Sequence, residues 1–340
     1  MFITLSSQIS AQVNVDSTQT TDTLIIGNEV LIPGYPRLKT KEHHSGKYVI
    51  EDSTYCPFHP CHTVAPKQRK WRVPLVFGVT AGLYAGSFIG LNQIWYANYP
   101  KSDFHFIDDN AEWFGMDKMG HATTAYYIGY YTQPVFQWSG MSRKASVWTA
   151  GGLGFAYQST IEILDGFSAE WGASWGDWMA NFAGSALYVS QELLWKEQRF
   201  MLKMGYWPSE YAEKRPNLLG SNFPERLLKD YNAHTFWLSC NIWSFLPNRD
   251  QSKFPRWLNV AAGYGANGML GGFENPPEYA NIPRYQQFYL SIDFDFTKIP
   301  TKSRFLKSLF RVMSIIKIPM PTIEFSTKPG QPVVFHLLMF

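Results

Sequence analysis

Cysteine is scarce: Cys56, Cys61 and Cys240 are the only three in 340 residues. That excludes a scaffold built on disulfides. Charge of one sign is missing as well. Lys and Arg number 30 against 27 Asp and Glu, a net charge of +3, which argues against a nucleic-acid binder relying on a large basic surface. Charged residues are 17% of the chain, under the roughly 25% of soluble domains. A mean hydropathy of −0.21 excludes a chain embedded in a membrane from end to end. Common catalytic signatures are absent too: no phosphate-cradling glycine loop, no Gly-x-Ser-x-Gly elbow, no His-Glu-x-x-His helix. What the chain has is rings: Trp 13, Tyr 19 and Phe 25. Many aromatics with few charges exclude disorder and point to a protein that meets a membrane.

Residues 1–12 end in Ser10-Ala11-Gln12, which resembles a small-residue signal-peptidase site and reads as the remnant of a signal peptide. Residues 13–66 read as an extended, loop-like region. Within it Cys56, His59, Cys61 and His62 stand in YCPFHPCH. Two thiols and two imidazoles are zinc ligands in principle, but an exported chain favours a local disulfide at this spacing. Cys240, in an apolar run, reads as a buried small hydrophobe.

A basic cluster, Lys67, Arg69, Lys70 and Arg72, precedes a stretch from Val73 to Pro100 without Asp, Glu, Lys or Arg. Gly78, Gly82, Gly86 and Gly90 recur there at every fourth position, one helix face on which a second backbone can approach closely. Three further apolar segments follow: Met119–Ser142, in which Pro134 is expected to kink or end the helix, Ala145–Ile161, and Trp178–Leu194. The last is preceded by a Ser174-x-x-Asp177 cap pattern. The expectation is a tight, membrane-associated bundle of about four helices over residues 73–198. Residues 199–232 read as a connector. Residues 233–340 carry strand-like runs at His234–Phe245, Trp257–Gly265, Tyr285–Phe296, Thr322–Ser326 and Val333–Phe340. A basic amphipathic helix, Ser303–Ile316, interrupts them and suits a membrane interface. The fold class is therefore α+β: a bundle packed through small residues, then a small antiparallel sheet.

A cluster of bases ahead of the first helix opposes insertion into the inner membrane after a cleaved signal. With the Ala11-Gln12 site and the aromatic Phe340, this favours the periplasmic side of the outer membrane, the inner membrane being the alternative. Lipid head groups are then natural partners for the bases.

Polar residues in apolar company carry the chemistry. Asp117 and His121 are four apart, Glu162 and Asp165 three apart, and Asp177 and Asn181 four apart, so each pair shares one face of a helix. Converging, they offer a divalent-cation site, a general acid/base cluster, or hydrogen bonds that fix packing.

The pieces Asp117-Lys118-x-x-His121, Glu162-x-x-Asp165-Gly166 and Trp175-Gly176-Asp177-x-x-Ala180-Asn181-x-x-Gly184 resemble the YfiM-type family, a domain of unknown function typified by a periplasmic lipoprotein. They are distantly similar to the VanZ-like membrane proteins, and the C-terminal third resembles the extension of Bacteroidota envelope proteins. No lipobox cysteine matches, so anchoring is expected to fall to the helices and the sheet. The first expectation is a non-catalytic, outer-membrane-associated scaffold whose partners are lipid and other envelope proteins. Two alternatives use the cluster: a hydrolase or transferase acting on envelope lipid or a cell-wall precursor, and a module that binds a divalent cation.

Overall fold

The structure, a computed structural model, describes residues 70–97 and 99–340, and before them only the backbone of five short strands. These are β1 (Gln12–Val13), β2 (Leu24–Ile26), β3 (Glu29–Leu31), β4 (Leu38–His43) and β5 (Lys47–Ile50), in the antiparallel order β1-β5-β4-β3-β2. They correct the loop-like reading of that stretch. The Cys56, His59, Cys61 and His62 group lies outside the described residues.

Four long helices follow, α1 (Arg72–Leu91), α2 (Met116–Ser139), α3 (Arg143–Asp165) and α4 (Trp175–Leu194), and then a six-stranded antiparallel sheet. The fold is α+β, as the residue pattern implies. Contacts divide the chain into two compact units, Met1–Ala81 with Thr132–Val147, and Gly82–Tyr131 with Trp148–Phe340.

In the first unit Arg72 is buried, its guanidinium 4.5 Å from the centre of the Trp138 ring. This member of the basic cluster is taken up by a cation–π contact rather than held out for head groups. Phe77 packs on Phe136 at 5.5 Å. Pro134 does not end α2, which runs on to Ser139. The burial of Phe136 and Ser139 beyond it outweighs the one backbone hydrogen bond that a proline removes.

In the second unit close packing is done by glycines of α3 and α4. A methyl group at Gly154 would collide with the carbonyl oxygen of Ala125 on α2, and one at Gly184 with that of Ala122. The glycines of α1 behave otherwise: a methyl at Gly78, Gly82, Gly86 or Gly90 would meet nothing within 4 Å. Among the described residues the expected partner for that face is absent. α1 is also the one described helix long and apolar enough to cross a membrane, and it is largely exposed. On α4 Asp177, Asn181, Ser185 and Glu192 turn inward, while Trp175, Met179 and Phe182 turn outward.

A parallel pair, β6 (Phe106–Ile107) and β7 (Ala173–Ser174), ties the loop before α2 to the start of α4. The sheet begins earlier than expected, with β8 (Phe200–Tyr206) inside the anticipated connector. Lys203 interrupts that strand's apolar pattern because it faces a buried acid, Asp293, at 2.7 Å. The rest of the connector folds into short helices, α5 (Tyr211–Lys214), α6 (Pro216–Leu219) and α7 (Phe223–Lys229). Then come β9 (His234–Asn241), β10 (Leu258–Asn267), β11 (Tyr285–Phe294), β12 (Met320–Ser326) and β13 (Val333–Met339), each paired to its predecessor, with α8 (Arg304–Met313) between β11 and β12. β9 stops at Asn241 because that side chain accepts from Ser244 N–H at 3.0 Å and caps a 3-10 turn. The start of α2 packs onto the sheet through Met116, Phe236, Ala266 and Met269.

Candidate functional site

The chain enters α2 through Trp113 and Phe114 at φ 48° and 53°, a left-handed conformation unusual for aromatic residues and worth about 1–3 kcal/mol of strain each. The turn is held by Trp113 N–H donating to Gly272 O at 2.8 Å and Tyr264 Oη to Phe114 O at 2.6 Å. It sets Asp109, on the incoming loop, against α2 and α4. Ser174 caps α4 by accepting from Asp177 N–H at 3.2 Å, and its hydroxyl donates to Asp109 Oδ1 at 2.5 Å. Its own N–H donates to Glu162 Oε2 at 3.2 Å. One cap residue thus links three segments of the site.

Of the paired residues, His121, Glu162, Asp177 and Asn181 come together. His121 Nδ1 is 3.0 Å from Asn181 Oδ1, 3.3 Å from Gln158 Nε2 and 3.5 Å from Glu162 Oε1. Asp117 joins from the other side through Lys118, whose ammonium lies 2.9 Å from Asp109, 3.2 Å from Asp117 and 3.3 Å from Asp177. Asp165 is not part of the cluster. It is the last residue of α3 and accepts from Tyr96 Oη at 2.6 Å. Asp109, and Lys118 as the central cation, were missed by sequence reasoning. Asp109 sits in an Asp-Asp-Asn turn with no helical spacing to mark it, and Lys118 is visible only as a motif neighbour.

The electrostatics divide the site in two. Asp109, Asp117 and Asp177 surround Lys118 and share its single positive charge. Asp109 titrates below the usual range: burial opposes this, but hydrogen bonds with Asp177, Ser174 and Lys118 prevail. Asp177 is pushed the other way, up to about 8, by burial and by Asp117. The contact between the two carboxyls lowers Asp109 and raises Asp177, favouring charge on the first and a proton on the second. On the other side, burial pushes Glu162 up to about 9, with repulsion from Asp177 added. Burial likewise holds His121 down at about 4, as neutral imidazole. Among the described residues no Lys or Arg pairs with Glu162, whose nearest basic group is His121 Nδ1 at 3.5 Å. Glu162 Oε1 and Asp177 Oδ1 accept no hydrogen bond, and Asn181 Nδ2 donates none. Ligand atoms of His121, Glu162 and Asp177 lie within 4.8 Å of one another.

Burial pushes Asp165 from 3.8 up to about 7. Between these values the folded chain keeps a proton that the unfolded chain releases, so stability is present at low pH and lost as pH rises through 7. At 1.36 kcal/mol per pH unit the loss is about 2–4 kcal/mol. Asp165→Asn is expected to be more stable than wild type at pH 8 and similar at pH 4, read by denaturant unfolding in detergent. Equal pH dependence in both proteins would refute this.

Residues 103–192 match a family described as predicted periplasmic lipoprotein (DUF2279), a domain of unknown function. The match covers α2, α3, most of α4 and every member of the cluster. No curated protein and no solved structure matches the chain.

Proposed function

We propose that this is an envelope-associated protein whose helical domain binds one divalent cation through His121, Glu162 and Asp177. One observation carries the reading: Glu162 Oε1 is buried and accepts no hydrogen bond, and it lies beside a neutral imidazole and Asp177 Oδ1, an oxygen whose one partner is the Lys118 ammonium at 3.3 Å. A buried carboxyl oxygen without a hydrogen bond costs about 1–3 kcal/mol, and a cation displacing the carboxyl proton would remove that cost. Two ligands on one ion lie at most about 4.2 Å apart at bond lengths of roughly 2.1 Å. Three ligands around one ion lie about 3.4–3.6 Å apart, so the group, within 4.8 Å, closes when facing side chains each shift by roughly 0.7 Å or less. One imidazole with two carboxylates suits zinc or manganese better than calcium. Gln158 and Ser174 would orient His121 and Glu162, as outer-shell partners do in metal sites.

The family match supports the envelope setting. Its finer form, an outer-membrane scaffold on the periplasmic side, rests on the aromatic load and the bare glycine face of α1. The likeness to YfiM-type and VanZ-like proteins rests on the Lys118, His121, Glu162, Asp177 and Asn181 pattern. Opposed pKa values of His121 and Glu162 also favour a second reading, acid/base hydrolysis or transfer on an envelope lipid or cell-wall precursor.

The test is metal analysis of the detergent-purified full chain, followed by thermal unfolding with Zn2+ or Mn2+ added. We expect close to one ion per chain, and stabilisation of about 2.7 kcal/mol at a hundredfold excess over Kd. Glu162→Gln and His121→Gln should fold and lose that stabilisation. Wild type that purifies without stoichiometric metal, and whose unfolding millimolar Zn2+ and Mn2+ leave unmoved, would overturn the proposal.

A further inference from the structure

The C-terminal sheet is inside out. Along β11 the residues that turn inward and are buried are Tyr289, Ser291 and Asp293, and those that turn outward and are exposed are Phe288, Leu290 and Ile292. Cross-strand register extends both patterns over the sheet. Asp293 stands beside Asn259, and Asn259 beside Asn241, all buried. On the opposite face Leu238, Ala262, Leu290, Ile323 and Phe335 form one continuous row across five strands. Phe288, Phe325 and Val333 form a second row. Leu337, further along β13, is 72% exposed. Exposed leucines scattered singly need no explanation, but a contiguous apolar outer face does when the interior holds Asp293, Asn259 and Asn241 beside a small core of Trp237, Ala261 and Tyr289.

The sheet also curls until its ends meet. Beyond β8, Met204 N–H donates to Ile315 O at 2.7 Å and Lys317 N–H to Met204 O at 3.0 Å. Phe340 O accepts from Thr235 Oγ1 at 2.7 Å. The curl encloses Lys203, Lys317 and Asp293, none of which has exposed side-chain surface.

We infer that the outer face of β9–β13, apart from the corner where Phe236 and Ala266 pack under the start of α2, lies against the hydrocarbon of a lipid membrane. Three features select lipid over a protein partner. The first row, and the second over β11–β13, contain no side chain that can form a hydrogen bond (the second ends on β10 at Tyr264, whose hydroxyl donates to Phe114 O), whereas protein interfaces carry about one hydrogen bond per 100–200 Å². β10 and β11 have ten residues each, about 33 Å at the usual rise and about 25 Å at a barrel strand's tilt, which equals the apolar band of a membrane barrel. Rings stand at the ends of that pair: Trp257 stacks on Phe294 at 4.7 Å at one end, and Tyr264 packs on Phe288 toward the other. Charge agrees with this arrangement. α8, joined to the Trp257 end through Phe296 and Phe310, exposes Phe305 and Val312 and carries exposed Arg304 and Lys307, which suits an anionic head-group layer, while Arg311 is taken up over the Tyr130 ring at 4.1 Å.

The unmodified full chain is reconstituted into phosphatidylcholine–phosphatidylglycerol vesicles containing a phospholipid with a diazirine in its acyl chain. Photolysis and peptide mapping should place adducts on Leu290, Ile323 and Phe335. Adducts confined to α1, with β9–β13 unlabelled, would overturn the inference. In a second measurement Cys56, Cys61 and Cys240 are replaced by Ser, and a nitroxide is attached at Leu290→Cys or Phe335→Cys. Collisions with oxygen should exceed collisions with a water-soluble nickel chelate at least threefold. The reverse ratio means a face in water, and protection from both reagents means a face covered by protein. Either result rejects lipid contact.

Discussion

Asp293→Ala is expected to destabilise the C-terminal sheet by about 3–5 kcal/mol, the cost of leaving buried charge without its partner. Its carboxylate is 2.7 Å from Lys203 and 3.7 Å from Lys317, with all three side chains fully enclosed. It also accepts from Ser239 Oγ at 2.6 Å. Lys203 retains only Phe294 O at 2.6 Å, and Lys317 retains Ser291 Oγ, Ile292 O and Ile318 O together with the Trp237 ring. Two ammonium groups would then face each other without an anion. The loss belongs to the unpaired charges, so the triple variant Lys203→Met, Asp293→Leu, Lys317→Met should recover most of it. Denaturant unfolding in detergent measures both variants. A single variant as stable as wild type would show that the triad contributes nothing.

Gly184→Ala is expected to cost about 3 kcal/mol, the upper range for overpacking, while Gly82→Ala should be neutral or stabilising by up to about 1 kcal/mol. Both are glycines inside apolar helices, and composition does not separate them. The first would drive its methyl into the carbonyl oxygen of Ala122, a backbone atom that cannot rotate away, and the second would meet nothing. Gly154→Ala, against Ala125 O, should resemble Gly184→Ala. Since Ala122 and Ala125 are one helical turn apart, the double variant is not expected to be additive. Equal thermal stabilities for Gly184→Ala and Gly82→Ala would remove the case that α2 is gripped by close backbone contact.

How far the site could be read from the sequence depended on whether its residues lie on helices. Asp177 and Asn181 are one turn apart, and so are Asp117 and His121, so helical spacing exposed them as pairs. Asp165 has the same kind of spacing from Glu162 but ends α3, where Tyr96 takes it out of the cluster. Asp109 comes from a loop fixed by a left-handed turn at Trp113 and Phe114, and no local pattern announces it. Lys118 looks like the solvated neighbour of a motif until three carboxylates are seen around it.

The strands show a similar division. β11 is legible because Phe288, Leu290 and Ile292 alternate with Tyr289, Ser291 and Asp293. β8 escaped because Lys203 breaks its apolar pattern, and a lysine in that position makes sense only opposite Asp293. By itself the sequence determined the helices, the later strands and the pairing of polar residues, because periodicity is a property of neighbours along the chain. It could not say which face of the sheet is the inside, since alternation is symmetric. Only the tertiary structure decided that the polar side closes inward, that the glycines of α3 and α4 are occupied while those of α1 are bare, and that one ammonium is shared by one half of the acidic cluster. Each of these depends on which distant segments come into contact, and spacing along a chain does not encode distance across it.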